Sequence, residues 1–224
     1  MTTPMNTDVK ADLITQNKET FLNICRRDIH RNGLEDLLHW LENETDFFIA
    51  PASAGHHGNT KGALVEHSIN VWTALNALLD KFDWINVSAE TRAIVALFHD
   101  VCKHDCYSIE MKNRKIYDKD VVDCANPKEI KKDSKGYYIW DSVPEYTFSD
   151  PFPIGHGEKS VIEILKRMKL TDEEIGAIRW HMGGFDSAFR GGDRGLNGVY
   201  DSSNLAVLLH LADMIATYIL EDNK

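Results

Sequence analysis

A chain of 224 residues with 43% hydrophobic content is long enough to bury a sizeable core and short enough to be read as one domain. Its 35 acidic residues outnumber 25 basic ones, for a net charge of −10, which removes the bulk attraction that long DNA or RNA requires and favours a small partner. Four cysteines (Cys25, Cys102, Cys106 and Cys124), with no CxxC pair among them, exclude a disulfide framework or zinc ribbon and fit a reducing, cytoplasmic setting.

In chain order, residues 1–18 are polar and predict a flexible arm ahead of a single domain over 19–222. Phe21 to Leu41 carries helical spacing, with a break at Asn32-Gly33. The small and turn-forming residues of FIAPASAGHHGNTKG, Phe48 to Gly62, predict a loop. Ala63 to Phe82 then reads as a strong helix with Leu64, His67, Val71, Ala74 and Leu78 on one face, so His67 points inward. Ala89 to Lys103 is apolar nearly all round through Ala93–Val101, the pattern of a helix buried at the centre, with His99 and Asp100 near its end.

Between Cys106 and Pro153 the character changes to charged stretches, with four of the six prolines falling from Pro127 onward and alternating residues in Gly136–Trp140. This predicts an insertion at about 106–153 carrying a short β-hairpin. Helical spacing resumes at Glu158–Met168, at Asp172–His181 behind a Thr171–Glu174 capping pair, and at Ser203–Glu221. The Gly-rich stretch Met182–Val199 reads as a loop. The longest apolar stretch, Leu205 to Leu220, is interrupted by His210 and Asp213, and the N-terminus lacks the order of a signal peptide, so no membrane span is expected.

The informative feature is where the ionisable residues fall. A carboxylate is costly to bury, yet Asp100 and Asp213 sit in almost continuously apolar segments, and each needs a partner. His67 faces inward, His99 adjoins Asp100, His156 precedes a helix and His181 ends one. Imidazole and carboxylate converging in an apolar core suit a transition metal, whose charge compensates the buried aspartates.

The order His67, His99-Asp100, His156, His181, Asp213 resembles the H…HD…H…H…D signature of the HD superfamily of metal-dependent phosphohydrolases. The local contexts GALVEHSINV, ALFHDVCK, PIGHGEKS, RWHMGG and LLHLADMIA carry the resemblance over roughly Phe47 to Ile219. It implies an all-α, compact HD-type helical bundle. His67, His99, Asp100 and Asp213 would hold a first divalent metal (Mn, Fe, Co or Ni, with Mg or Zn as further candidates), and Asp100 would bridge to a second on His156 and His181. Members with only the first four ligands are similar to mononuclear nucleotidases. Two such ions about 3.5–4 Å apart share a water, generate hydroxide near neutral pH and clamp phosphoryl oxygens.

The lysine of ALFHDVCK, Lys103, matches the family's HDxxK variant, whose lysine contacts a phosphate or other anionic group. Asp100 and Lys103 are therefore the catalytic candidates. Lys159, at a helix start where free N–H groups suit an anion, is a candidate substrate contact, as are His57 in the loop before the His67 helix and Arg190 in the Gly-rich loop. His210, one turn before Asp213, is either an orienting partner of that carboxylate or core packing. The expected activity is hydrolysis of a phosphate ester of a nucleotide or related small molecule. Two alternatives stay open: a di-iron oxygenase, because a similar ligand set holds iron in HD-domain oxygenases, and a single-strand nuclease, against which the net charge counts.

Overall fold

The computed structural model describes residues 7–55 and 58–221, with side chains from residue 11 onward. It is mainly helical, with one small sheet. The first helix, α1 (Thr7–Asp28), begins inside the segment that polarity alone marks as an arm. Residues 11–20 are exposed or half-buried, and the fully buried face starts at Phe21, so composition gave no packing signal for this stretch.

The predicted break at Gly33 separates α1 from α2 (Leu34–Asn43). Gly33 takes the left-handed conformation at φ 93°, and a Cβ there would run into the carbonyl oxygen of Arg167. The His67 helix, α3 (Ala63–Lys81), lies almost where its periodicity places it. The central helix is shorter than expected: α4 (Ala89–Phe98), capped by Ser88 accepting from the Thr91 N–H, stops before His99. Asp100 leaves helical geometry at φ −109°, ψ 16°, and a 3₁₀ turn covers Val101–Lys103. Ser160, from a later helix, accepts the Cys102 N–H at 3.2 Å, a tertiary contact that no local pattern reveals.

Residues 107–148 hold more sheet than a short hairpin. β1 (Tyr107–Ile116) pairs antiparallel with β3 (Gly136–Phe148), in a register running from Tyr107 opposite Phe148 to Ile116 opposite Ile139. β2 (Lys131–Asp133) pairs on the other side of β3, and α5 (Lys119–Asp123) lies in the connection. The Tyr107 hydroxyl donates to the Ala52 carbonyl at 3.0 Å and ties the base of the sheet to the loop before α3.

After the sheet come α6 (His156–Leu165) and α7 (Asp172–Arg179), the latter opened by the Thr171–Glu174 capping box. The stretch read as a glycine loop is mostly helical: a 3₁₀ turn at Gly183–Phe185, then α8 (Ser187–Arg190), capped by Asp186, and α9 (Gly195–Ser202). The last long helix, α10 (Asn204–Ile215), is capped by Ser203 and runs into a π-helical turn, Ala216–Leu220.

α4 is the axis of the core. Ala93 to Phe98 are all inaccessible to solvent, and Phe21, Phe47, Phe48 and Phe98 meet edge to face with centroids 5.2–5.6 Å apart. Each such large side chain contributes about 1.5–3 kcal/mol on burial. α3 packs against α4 and α10, and α7 against α4, α6 and α10. Arg31 bonds bidentately to fully buried Glu174 at 2.6 and 3.0 Å and reaches Glu90 at 3.1 Å, pinning the α1–α2 connection to the starts of α4 and α7. Among the described residues no single helix is long and apolar enough to cross a membrane.

Candidate metal centre

The ends and inner faces of these helices meet around Asp100. His67 comes from the second turn of α3, His99 and Asp100 from the break after α4, and Asp213 from α10. His156 is the first residue of α6, and His181 follows α7 by two residues. His67, His99, Asp100 and His181 are 4% exposed or less.

Asp100 Oδ1 accepts from His156 Nε2 at 2.7 Å and lies 3.4 Å from His181 Nε2. Its Oδ2 lies 2.7 Å from Lys103 Nζ, 3.6 Å from His99 Nε2 and 3.7 Å from His67 Nε2. His67 Nε2 is in turn 3.3 Å from both His99 Nε2 and Asp213 Oδ1. Six residues predicted as ligands therefore share one cluster. Three overlapping donor groups fall within ion-binding distance: His67, His99 and Asp213; His99, Asp100 and His181; Asp100, Cys102 and His156.

The donor atoms fit a cation. His99 and His181 give their Nδ1–H to the carbonyls of Ala96 at 2.8 Å and Ile178 at 2.7 Å, which leaves each Nε2 lone pair facing the cluster. His181 Nε2 is buried with no hydrogen-bond partner among the described residues. Nitrogens bound at 2.0–2.1 Å to a tetrahedral ion stand about 3.3 Å apart, the spacing at which His67 and His99 face each other.

Protonation follows the same demand for positive charge. Burial opposes the charged form of His67, but the hydrogen bonds it donates to Asp213 and Glu221 override it and hold the imidazole up at about 10. Burial would raise Asp100, yet Lys103, His99 and His156 keep it well below the usual carboxylate range. Asp213 is likewise held low, against burial, by His67. His99 is pushed down to about 4 by burial, so its neutral form is the one present near neutral pH.

A cleft of about 520 Å³ opens on this cluster. His67, Asp100, Lys103 and Asp213 line it together with Met182, Phe185, Met214 and Tyr218. Lys103 is half-buried; burial would lower its ammonium, and Asp100 holds it above the ordinary lysine range. It pairs with Asp100 through the 3₁₀ turn, not with the His99 face as a continuous helix would have it.

The other predicted substrate contacts lie elsewhere. Lys159 is 2% exposed, with its ammonium on Asp150 at 2.7 Å and Cys106 Sγ at 3.5 Å, and it does not line the cleft. The helix start predicted to present it to an anion instead turns it into the base of the sheet segment. Arg190 is exposed and sits 5.8 Å from the Phe185 ring, touching the cleft only through that residue. His57 lies outside the described residues. His210 pairs with the His181 carbonyl at 2.7 Å, not with Asp213, and lines the cleft.

Two residues of the site escaped the sequence reading. Cys102 Sγ lies 3.4 Å from His156 Nδ1, and Glu221 bonds His67 Nδ1 at 3.0 Å. Cys102 could have been noticed only by proximity to Asp100. No protein-family model, curated protein or solved structure matches this chain.

Proposed function

We propose that the chain is a metal-dependent phosphohydrolase of the HD type, acting on a phosphate ester of a nucleotide or related small molecule. The observation that carries this reading is one buried carboxylate, Asp100, shared by four histidines and by Lys103, the only lysine lining the cleft among the described residues. His67, His99, Asp100 and Asp213 would hold one divalent transition metal, and Asp100, His156 and His181 a second. Such ions supply Lewis acidity toward phosphoryl oxygens and lower the pKa of water.

The chain's own residues do the rest. Lys103 keeps its proton because Asp100 stabilises it, so it serves as a fixed positive charge beside the phosphoryl oxygens and not as a proton donor. Met182, Phe185, Met214 and Tyr218 offer apolar and aromatic surface for the organic part of the ester. A net charge of −10 and, among the described residues, a single cleft-lining lysine disfavour a single-strand nuclease. Four unpaired cysteines fit a reducing, cytoplasmic setting for the enzyme.

The nitrogen and oxygen donors suit iron as well as manganese or cobalt, so a di-iron oxygenase is the second reading. The test is phosphate release from a panel of nucleotides under Mn²⁺, Fe²⁺ and Co²⁺, with dioxygen uptake followed in parallel. Release of phosphate or nucleotide ester cleavage supports hydrolysis; dioxygen uptake by an iron-loaded protein without ester cleavage overturns it.

A further inference from the structure

The histidines of the cluster are anchored in two different ways. His99 and His181 lie just past helix ends, where carbonyls are released from the helical ladder, and each takes one of these for its Nδ1–H. His67 is in the second turn of α3, where nearby carbonyls are already used in the helical ladder, so its acceptor must come from another element. That acceptor is charged. Glu221 places its two oxygens 3.0 and 3.3 Å from His67 Nδ1, and Asn70, on the same side of α3, donates its amide N–H to Oε1 at 3.0 Å.

Delivery of Glu221 depends on an irregular helix. In an unbroken α-helix, eight residues after Asp213, Glu221 would sit about 80° round the axis from it. The i→i+5 turn Ala216–Leu220, closed by the Glu221 N–H on the Ala216 carbonyl at 3.0 Å, advances less per residue and draws Glu221 back toward the face of Asp213. Both carboxylates then reach the same imidazole, Asp213 at Nε2 and Glu221 at Nδ1.

We infer that Glu221 is a positioning residue of the metal centre: held by Asn70 and delivered by the π-helical turn, its carboxylate fixes the His67 ring and strengthens Nε2 as a donor toward a bound cation. The inference rests on the metal reading above. It makes the last described turn of the chain part of the site, with Glu221 acting through His67.

The test uses the full chain. Dissociation constants for Mn²⁺ and Zn²⁺ are measured by chelator competition in the wild type, Glu221→Ala and Glu221→Gln, and the His67 Nδ1–H resonance is followed by NMR in the Zn²⁺-loaded proteins. Glu221→Ala is expected to weaken binding about 10–100-fold and to expose the Nδ1–H to solvent exchange. Glu221→Gln keeps an accepting oxygen without the charge and falls between, and it carries the test alone if the alanine variant does not fold. Wild-type affinity and a protected Nδ1–H in the folded variants would overturn the positioning role while leaving the metal site intact. A wild-type chain that binds neither ion overturns the metal reading itself.

Discussion

Asp100 shows why the centre is sensitive to single atoms. Both of its oxygens are engaged, Oδ1 by His156 and Oδ2 by Lys103, with three further imidazole nitrogens within 3.7 Å. On the proposed phosphohydrolase reading, Lys103 is the residue that would separate metal binding from chemistry. Lys103→Met should leave metal content near the wild-type value while lowering phosphate release about 10²–10³-fold, read by elemental analysis and steady-state kinetics on the same preparation. Equal loss of metal and activity would instead make Lys103 a support for Asp100. The cysteines give a check on the packing. Burial pushes the thiols of Cys25 and Cys102 far up and raises Cys106, whereas Cys124 is exposed. Mass spectrometry of the native protein alkylated near pH 8 should find one modification per chain, on Cys124.

At the scale of elements, close approaches between helices set the ligand geometry. Gly157, next to His156, lies so close to α7 that a Cβ would run into the Arg179 carbonyl oxygen. Gly157→Ala should therefore push α6 off α7, cost about 1–3 kcal/mol in urea unfolding, and reduce the metal bound through His156. Arg31 acts at the other end of the same helices. Arg31→Ala leaves the buried carboxylate of Glu174 without its cation and should cost about 3–5 kcal/mol by the same measurement, with the histidine–aspartate cluster untouched.

The elements themselves were unevenly legible. Periodicity placed α3 and the capping pair of α7, because both signals are local. It overran α4 past Phe98, because the break depends on Ser160 from another helix taking the Cys102 N–H. Glycines hid α8 and α9, although Asp186 supplies a clear side-chain cap to the Ala188 and Phe189 N–H groups.

For the whole molecule, six residues scattered from α3 to α10 converge because four helices and the break after α4 surround one point. His67, His99, Asp100, His156, His181 and Asp213 were legible as a group because each is an ionisable residue set in apolar or helix-terminal sequence. Their partners were not. Glu221 is out of α-helical phase with Asp213, and Lys159 carries no local sign that Asp150 would claim it. The sheet stands beside this assembly with Ile109, Met111, Trp140 and Phe148 exposed. The convergent donors could hold metal, with Asp100 joining their two halves. The most direct measurement is metal content by elemental mass spectrometry on anaerobically purified protein, for the wild type and for Asp100→Asn. Two equivalents of a divalent transition metal in the folded wild type, lost in the variant, is the expected result. A folded wild-type chain that retains no metal and takes up none from Mn²⁺, Fe²⁺ or Co²⁺ would contradict it.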